Sequence, residues 1–86
     1  MFKLNSQLID WIAFATKIYS YVLEIIADKK LNYKDYDSVQ ALVNESVVTM
    51  AHELNWTVKL TDIRVREATV IVDEIFYHLP HPEETY

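Results

Sequence analysis

One group of side chains near the C-terminal end of the chain has residue types suited to metal binding. Glu74 and His78 are one helical turn apart, and His81 follows three residues later. A carboxylate and an imidazole at this spacing can hold a divalent cation such as Zn²⁺ from one face of a helix. Pro80 separates the two histidines, however, and two ligands do not complete a coordination sphere. The simpler interpretation is a solvated acidic helix end, so the sequence predicts no metal site and no cofactor.

Other catalytic patterns are incomplete in this chain. His52 and Glu53 begin like the HExxH motif of zinc proteases, but Trp56 stands where the second histidine is required. The magnesium sites of helical pyrophosphohydrolases need an acidic residue three positions after a glutamate, and no glutamate in the predicted helices has one. The arginine–histidine spacing of RxxxxH ribonucleases is also absent. The sequence therefore predicts no catalytic residue and a non-enzymatic protein, with a small metal-dependent hydrolase as the least favoured alternative.

Composition narrows the class of protein further. The chain has 86 residues, of which 51% are hydrophobic, and this predicts a single small domain over residues 1–86. It has no glycine for phosphate-binding loops and no cysteine for disulfides or thiolate metal sites. A net charge of −5 disfavours direct nucleic-acid binding and favours a protein partner with a basic surface. Charged residues interrupt the apolar stretch between residues 8 and 27, so we expect no membrane span. No targeting segment is evident, so we expect a cytoplasmic location.

Apolar spacing predicts three helices joined by short connections. The expected helices cover residues 6–29, 37–55 and 61–79. Asp37 is the expected cap of the second helix, and Thr61 is the expected cap of the third. Residues 56–60 fit either a short strand or an extended linker, and residues 80–86 are expected to form a frayed acidic tail. The predicted fold is an all-α three-helix domain in which the first helix is central.

The first predicted helix is apolar around about two-thirds of its circumference, whereas burial against one core needs a stripe of only about 100°. Two neighbouring helices cannot cover so wide an arc, so large side chains at its margins should remain exposed. We expect Ile9 and Leu23 at one margin, and Phe14, Tyr21 and Ile25 at the other. These residues predict a twofold homodimer, which Phe14→Glu or Ile25→Glu should break without unfolding the domain.

The third predicted helix has a second apolar strip away from its expected core face. Ile63, Val70 and Tyr77 are spaced by seven residues and therefore lie along one line of the helix. The charged residues that border this line are Arg66, Asp73, Glu67 and Glu74. Exposed apolar surface with a charged rim is typical of a docking or dimer surface. The alternative is half-burial at the edge of a small bundle.

The general character of the chain suggests how such surfaces would be used. A short, acidic, cysteine-free chain rich in Asn, Tyr, Ile and Lys resembles the small proteins of phages and mobile elements. Many of those act by covering a host protein, which implies a regulator or an inhibitor. We therefore interpret the chain as a protein-interaction module whose acidic charge steers it toward a basic surface. The alternative is a structural subunit of a larger helical assembly.

Overall fold

The computed structural model describes the backbone of residues 6–79 and the side chains of residues 11–79. It contains three α-helices, α1 (Ser6–Lys29), α2 (Tyr36–Leu54) and α3 (Val58–Tyr77), and one 3₁₀ turn, Tyr33–Asp35, before α2. No strand occurs within residues 6–79. The predicted all-α three-helix fold is therefore confirmed, and the bounds of α1 agree with the prediction.

The connection between α1 and α2 folds into a capping box that determines where α2 begins. The side chain of Asn32 accepts a hydrogen bond from the Lys34 backbone N–H at 2.8 Å, and the Asp35 carboxylate accepts one from the Asn32 N–H at 2.9 Å. These reciprocal bonds hold the 3₁₀ turn, and α2 follows at Tyr36. Asp37 therefore lies inside the first turn of α2, and the prediction that it caps the helix is wrong. Its charge still favours the positive end of the helix dipole.

Helix α3 begins at Val58, which is earlier than predicted. The hydroxyl of Thr57 accepts a hydrogen bond from the Leu60 backbone N–H at 3.1 Å and caps the helix. Thr61 lies inside the first turn, where its hydroxyl donates to the Thr57 carbonyl at 2.8 Å. The prediction of Thr61 as the cap is wrong because either threonine satisfies the local rule and Thr57 comes first. Within residues 56–60 only the first two are non-helical, so this segment is neither a strand nor an extended linker.

Residues in the left-handed region end the first two helices of this glycine-free chain. Lys30, after α1, has a φ of 53°, and Asn55, after α2, has a φ of 58°. The Asn55 backbone N–H donates to the Ala51 carbonyl and so satisfies one of the free carbonyls at the end of α2. Helix α3 ends at Tyr77 without such a residue, two positions before the predicted end.

The core lies between the three helices and consists mainly of valine, isoleucine and phenylalanine. Its buried residues are Phe14, Ile18, Val22, Ile25, Val39, Val43, Val47, Ala68, Val72, Ile75 and Phe76. Their spacings of three and four put them on one face of each helix. Burying each of the large side chains contributes about 1.5–3 kcal/mol, so this set is the main source of stability.

Helix α3 occupies the central position that the sequence analysis gives to α1. It packs closely against both other helices, whereas α1 packs more against α3 than against α2. The short connections make successive helices antiparallel, so α1 and α3 run in the same direction. Within residues 6–79, no helix combines the length and the apolar character that crossing a bilayer requires.

Candidate functional site

Two of the residues predicted to form an α1 interface belong to the core. Phe14 is 5% exposed and Ile25 is 8% exposed. Helical rotation puts both on the same side as Ile18 and Val22, which are fully buried. The expectation that Phe14 and Ile25 stay uncovered is therefore wrong. Phe14→Glu or Ile25→Glu is now expected to destabilise the domain itself.

The other predicted α1 residues have three different positions. Tyr21 is half-buried on the side of α1 that faces α2, where it lines a shallow pocket with Leu42 and Met50. Leu23 is exposed, as predicted for the opposite margin. Ile9 lies outside the residues whose side chains the structure describes. Among the predicted α1 residues whose side chains the structure describes, Leu23 is therefore the one that is exposed.

An apolar surface on α1 surrounds Leu23 and includes residues that the sequence analysis did not single out. Trp11, Ile12, Tyr19 and Leu23 are each between 42% and 49% exposed. Ile12, Tyr19 and Leu23 are separated by seven and four residues, which puts them within about 40° of one another around the helix. We call these three residues, with the small side chains between them, the α1 strip. They are uncovered because α2 and α3 pack on the opposite side of α1.

The centre of the α1 strip is a shallow hollow. A cavity of about 280 Å³ is lined by Ala15, Thr16, Tyr19 and Ser20. Three of these four side chains are small, so the helix backbone lies close to the molecular surface there. None of the strip residues carries a charge. The surface is therefore apolar at its two ends and recessed in the middle.

The predicted strip on α3 is exposed along its whole length. Ile63, Val70 and Tyr77 are 43%, 65% and 79% exposed, respectively, and lie on the side of α3 that faces away from the core. We call these three residues the α3 strip. From the first to the last of them the helix rises about 20 Å. The three side chains are therefore about 10 Å apart along one line of α3, and the charged residues Arg66, Glu67, Asp73 and Glu74 lie between them.

Ion pairs within α3 organise the charged rim of the α3 strip. Arg66 contacts Asp62 at 3.2 Å, and the Nε2 atom of His78 lies 3.1 Å from a carboxylate oxygen of Glu74. These groups are mostly solvent-exposed, so their pairs contribute little to stability. Asp73 is also exposed on this side of the helix. The rim consequently keeps an acidic character.

A buried arginine links α3 to α1 and to the connection between α2 and α3. Arg64 is only 7% exposed, and its Nη1 donates to Glu67 at 2.6 Å. Its guanidinium carbon lies 5.3 Å from the ring centre of Phe14 and 5.9 Å from that of Trp56. The two rings also contact each other edge to face. Cation–π contacts and the ion pair together offset the cost of burying the charge. The sequence alone does not distinguish Arg64 from the other charged residues of the predicted helices.

Two cavities lie on either side of Trp56. The first, about 560 Å³, is lined by Val48, Ala51, His52, Asn55, Trp56, Val58, Thr61, Asp62 and Val65. The second, about 440 Å³, is lined by Ala13, Phe14, Lys17, Met50, Leu54, Trp56, Leu60 and Arg64. Both are mainly apolar. In the first lining, the Thr61 hydroxyl donates its hydrogen bond to the Thr57 carbonyl.

Two of the candidate metal ligands contact each other in the described part of the chain. Glu74 and His78 contact each other, as described above, on an exposed face of α3. His52 and Glu53 are both exposed near the end of α2. Within the described residues, no three potential ligands come together. His81 and the predicted acidic tail lie outside the described residues.

Tyr36 links the start of α2 to the end of α3. Its hydroxyl donates a hydrogen bond to the Asp73 carboxylate, and its ring packs edge to face on Phe76 with 5.5 Å between ring centres. The hydrogen bond to Asp73, with partial burial, raises the pKa of Tyr36 from 10.0 to about 12. This contact joins residues 37 positions apart and was not predictable from local spacing.

Because the pKa of Tyr36 is raised on folding, its protonated form stabilises the domain below pH 10. We expect this contribution to be lost as the pH rises from 10 to about 12. In Tyr36→Phe, the free energy of unfolding should therefore fall less steeply over this range than in the wild type. Chemical denaturation at a series of pH values measures this slope. Tyr77→Phe, the same change at an exposed position, should keep the wild-type slope; equal slopes in all three proteins would contradict the Tyr36–Asp73 contact.

No family model, no curated protein and no solved structure matches this chain.

Proposed function

We propose that the protein is a non-enzymatic interaction module that binds another protein through the α3 strip. The exposure of Ile63, Val70 and Tyr77 along one line of a well-packed helix carries this proposal. Single exposed apolar residues are ordinary on protein surfaces, but three large ones in line on one helix face, with charged residues around them, can anchor a binding surface. Tyrosine at one end of the line is also a favoured interface anchor.

The charge around the α3 strip favours a partner with a basic surface. Asp73 and Glu74 are exposed beside Val70 and Tyr77, and the chain as a whole carries a net charge of −5. Carboxylates at the rim of an apolar contact steer association with a basic surface and fix its orientation. The module would act as a regulator or inhibitor by covering that surface, in the manner of many small proteins of phages and mobile elements.

Comparative affinity capture from the native cell tests this proposal. The wild-type protein and Val58→Glu should retain the same partner, because Val58 is 89% exposed but lies off the α3 strip. Val70→Glu should weaken binding by about 10- to 100-fold, the usual effect of changing a central interface residue. Raising the salt concentration should also weaken binding. A partner that binds Val70→Glu as well as the wild type would contradict the proposal.

A structural subunit of a larger assembly is the second candidate. The observation in its favour is that two helices, α1 and α3, each expose an apolar strip. A subunit with two such surfaces can contact two neighbours at once. Light scattering of the isolated protein separates the two candidates, since an assembly larger than a dimer favours the subunit role.

A further inference from the structure

The α1 strip is not used in the proposed function, and we infer that it binds the α1 strip of a second copy in an antiparallel, twofold arrangement. This assigns the two apolar strips to different partners. The α1 strip forms a homodimer, and the α3 strip remains available to a different protein.

The two ends and the hollow of the α1 strip are placed symmetrically about its midpoint. Ile12 and Leu23 lie at its two ends, and the point halfway between them falls between residues 17 and 18. The hollow lined by residues 15, 16, 19 and 20 is centred on the same point. A twofold axis through this point places Ile12 opposite Leu23 of the second copy. It also places Tyr19 opposite Thr16 of the second copy, so every contact occurs twice.

The shapes of the strip residues suit this pairing. Tyr19 is nearly half exposed and projects beside the hollow that Ala15, Thr16 and Ser20 help to line. In the antiparallel pair, the ring of each copy enters the hollow of the other, as a knob enters a hole in helix packing. Small side chains at the centre allow the helix axes to approach to about 8 Å, the close end of the usual range. The larger Ile12 and Leu23 then fill the two ends.

The helix dipole favours the antiparallel over the parallel arrangement. A parallel pair would place the two positive ends of α1 side by side, and likewise the two negative ends. An antiparallel pair places each end beside the opposite end of the second copy, which is the favourable arrangement of two dipoles.

The absence of charge within the α1 strip is the reason for choosing a second copy over a basic protein. Ile12, Tyr19 and Leu23, with the small residues between them, offer no carboxylate to a cationic partner. The α3 strip, in contrast, has Asp73 and Glu74 beside it. Electrostatic selection of a basic surface therefore acts on α3 and not on α1.

The size of the α1 strip fits a weak, transient dimer. Ile12, Tyr19 and Leu23 are each a little under half exposed. At roughly 200 Å² for each large side chain, they contribute about 280 Å² per copy, and the small residues between them add to this. The buried total for two copies is then below about 1,200 Å², which is the size of weak and transient interfaces. We therefore expect a dimer that dissociates readily on dilution.

Sedimentation equilibrium of the full chain over about 1 to 200 µM tests the dimer. The wild type should fit a monomer–dimer equilibrium, and added salt should tighten it because each copy carries a charge of −5. Thr16→Glu, which puts a charge into the hollow, should weaken the dimer at least about tenfold. Val58→Glu is the matched control and should dimerise like the wild type. A monomer throughout this range, or equal dimerisation by Thr16→Glu, would overturn the inference.

Cysteine cross-linking tests the antiparallel register, because the chain has no cysteine of its own. Ile12→Cys and Leu23→Cys are purified separately, mixed in equal amounts and oxidised. The antiparallel pair predicts disulfides between the two different variants, whereas a parallel pair predicts disulfides only between identical chains. Mass spectrometry distinguishes these products, and cross-links between identical chains alone would overturn the register.

The same variants separate this inference from the proposed function. Thr16→Glu should lose the dimer but keep partner capture, since it leaves the α3 strip intact. Val70→Glu should lose partner capture but keep the dimer. If Val70→Glu separates the dimer and Thr16→Glu does not, then the dimer forms through α3 and the inference is overturned.

Discussion

Ile18→Glu should unfold the domain, whereas Ile12→Glu on the same helix should leave it folded. Ile18 is fully buried and Ile12 is 49% exposed, although the two residues are identical and six positions apart. The change at Ile18 removes a core side chain, which costs about 2–5 kcal/mol, and also puts a carboxylate into apolar surroundings. An 86-residue domain has a total stability of only roughly 4–13 kcal/mol, so the loss is comparable to the whole.

Circular dichroism and urea denaturation measure this contrast. Ile18→Glu should lose most of its helical signal and its cooperative transition, while Ile12→Glu should keep both. Ile18→Ala offers a milder test and should lower the free energy of unfolding by about 2–5 kcal/mol. A folded, cooperative Ile18→Glu protein would show that the packing of α1 differs from the structure described above.

The three helices could be predicted because apolar spacing repeats over many residues in each of them, whereas their starts depend on single hydrogen bonds. Thr57 and Thr61 both satisfy the rule for a helix cap, and only the contact with the Leu60 N–H distinguishes them. Similarly, the capping box of Asn32 and Asp35 moves the start of α2. Local sequence rules allow more than one such start, and the packed structure selects one.

The α3 strip was predictable and most of the α1 strip was not, for a reason that lies in helix packing. Val70 lies opposite the core face of α3, so a small rotation of the helix about its axis in either direction would leave it exposed. On α1, nearly the whole circumference is apolar, and the sequence does not say which part the neighbours cover. The neighbours cover Phe14 and Ile25 and leave Ile12 and Tyr19 open. This choice depends on which side of α1 faces α2 and α3, which is a tertiary property.

Arg64→Ala should lower the free energy of unfolding by about 2–4 kcal/mol, which is a large effect for the loss of a charged side chain. Arg64 is 7% exposed, and its guanidinium contacts the rings of Phe14 and Trp56 while it pairs with Glu67. Truncation removes the ion pair and both ring contacts, and it leaves space beside a cavity that is already about 440 Å³. The carboxylate of Glu67 is 28% exposed, so water can partly replace its lost partner.

Arg66→Ala is the matched control, because Arg66 is on the same helix and is also ion-paired. Its side chain is 79% exposed and contacts Asp62 in water, so its loss should change stability by less than about 0.5 kcal/mol. Arg64→Met then separates packing from charge, since methionine keeps an apolar stem against the two rings. The Glu67 carboxylate that loses its partner is 28% exposed and can be hydrated, so we expect Arg64→Met to recover most of the stability that Arg64→Ala loses. Equal stability of Arg64→Ala and Arg66→Ala in urea denaturation would contradict the burial of Arg64 against the rings.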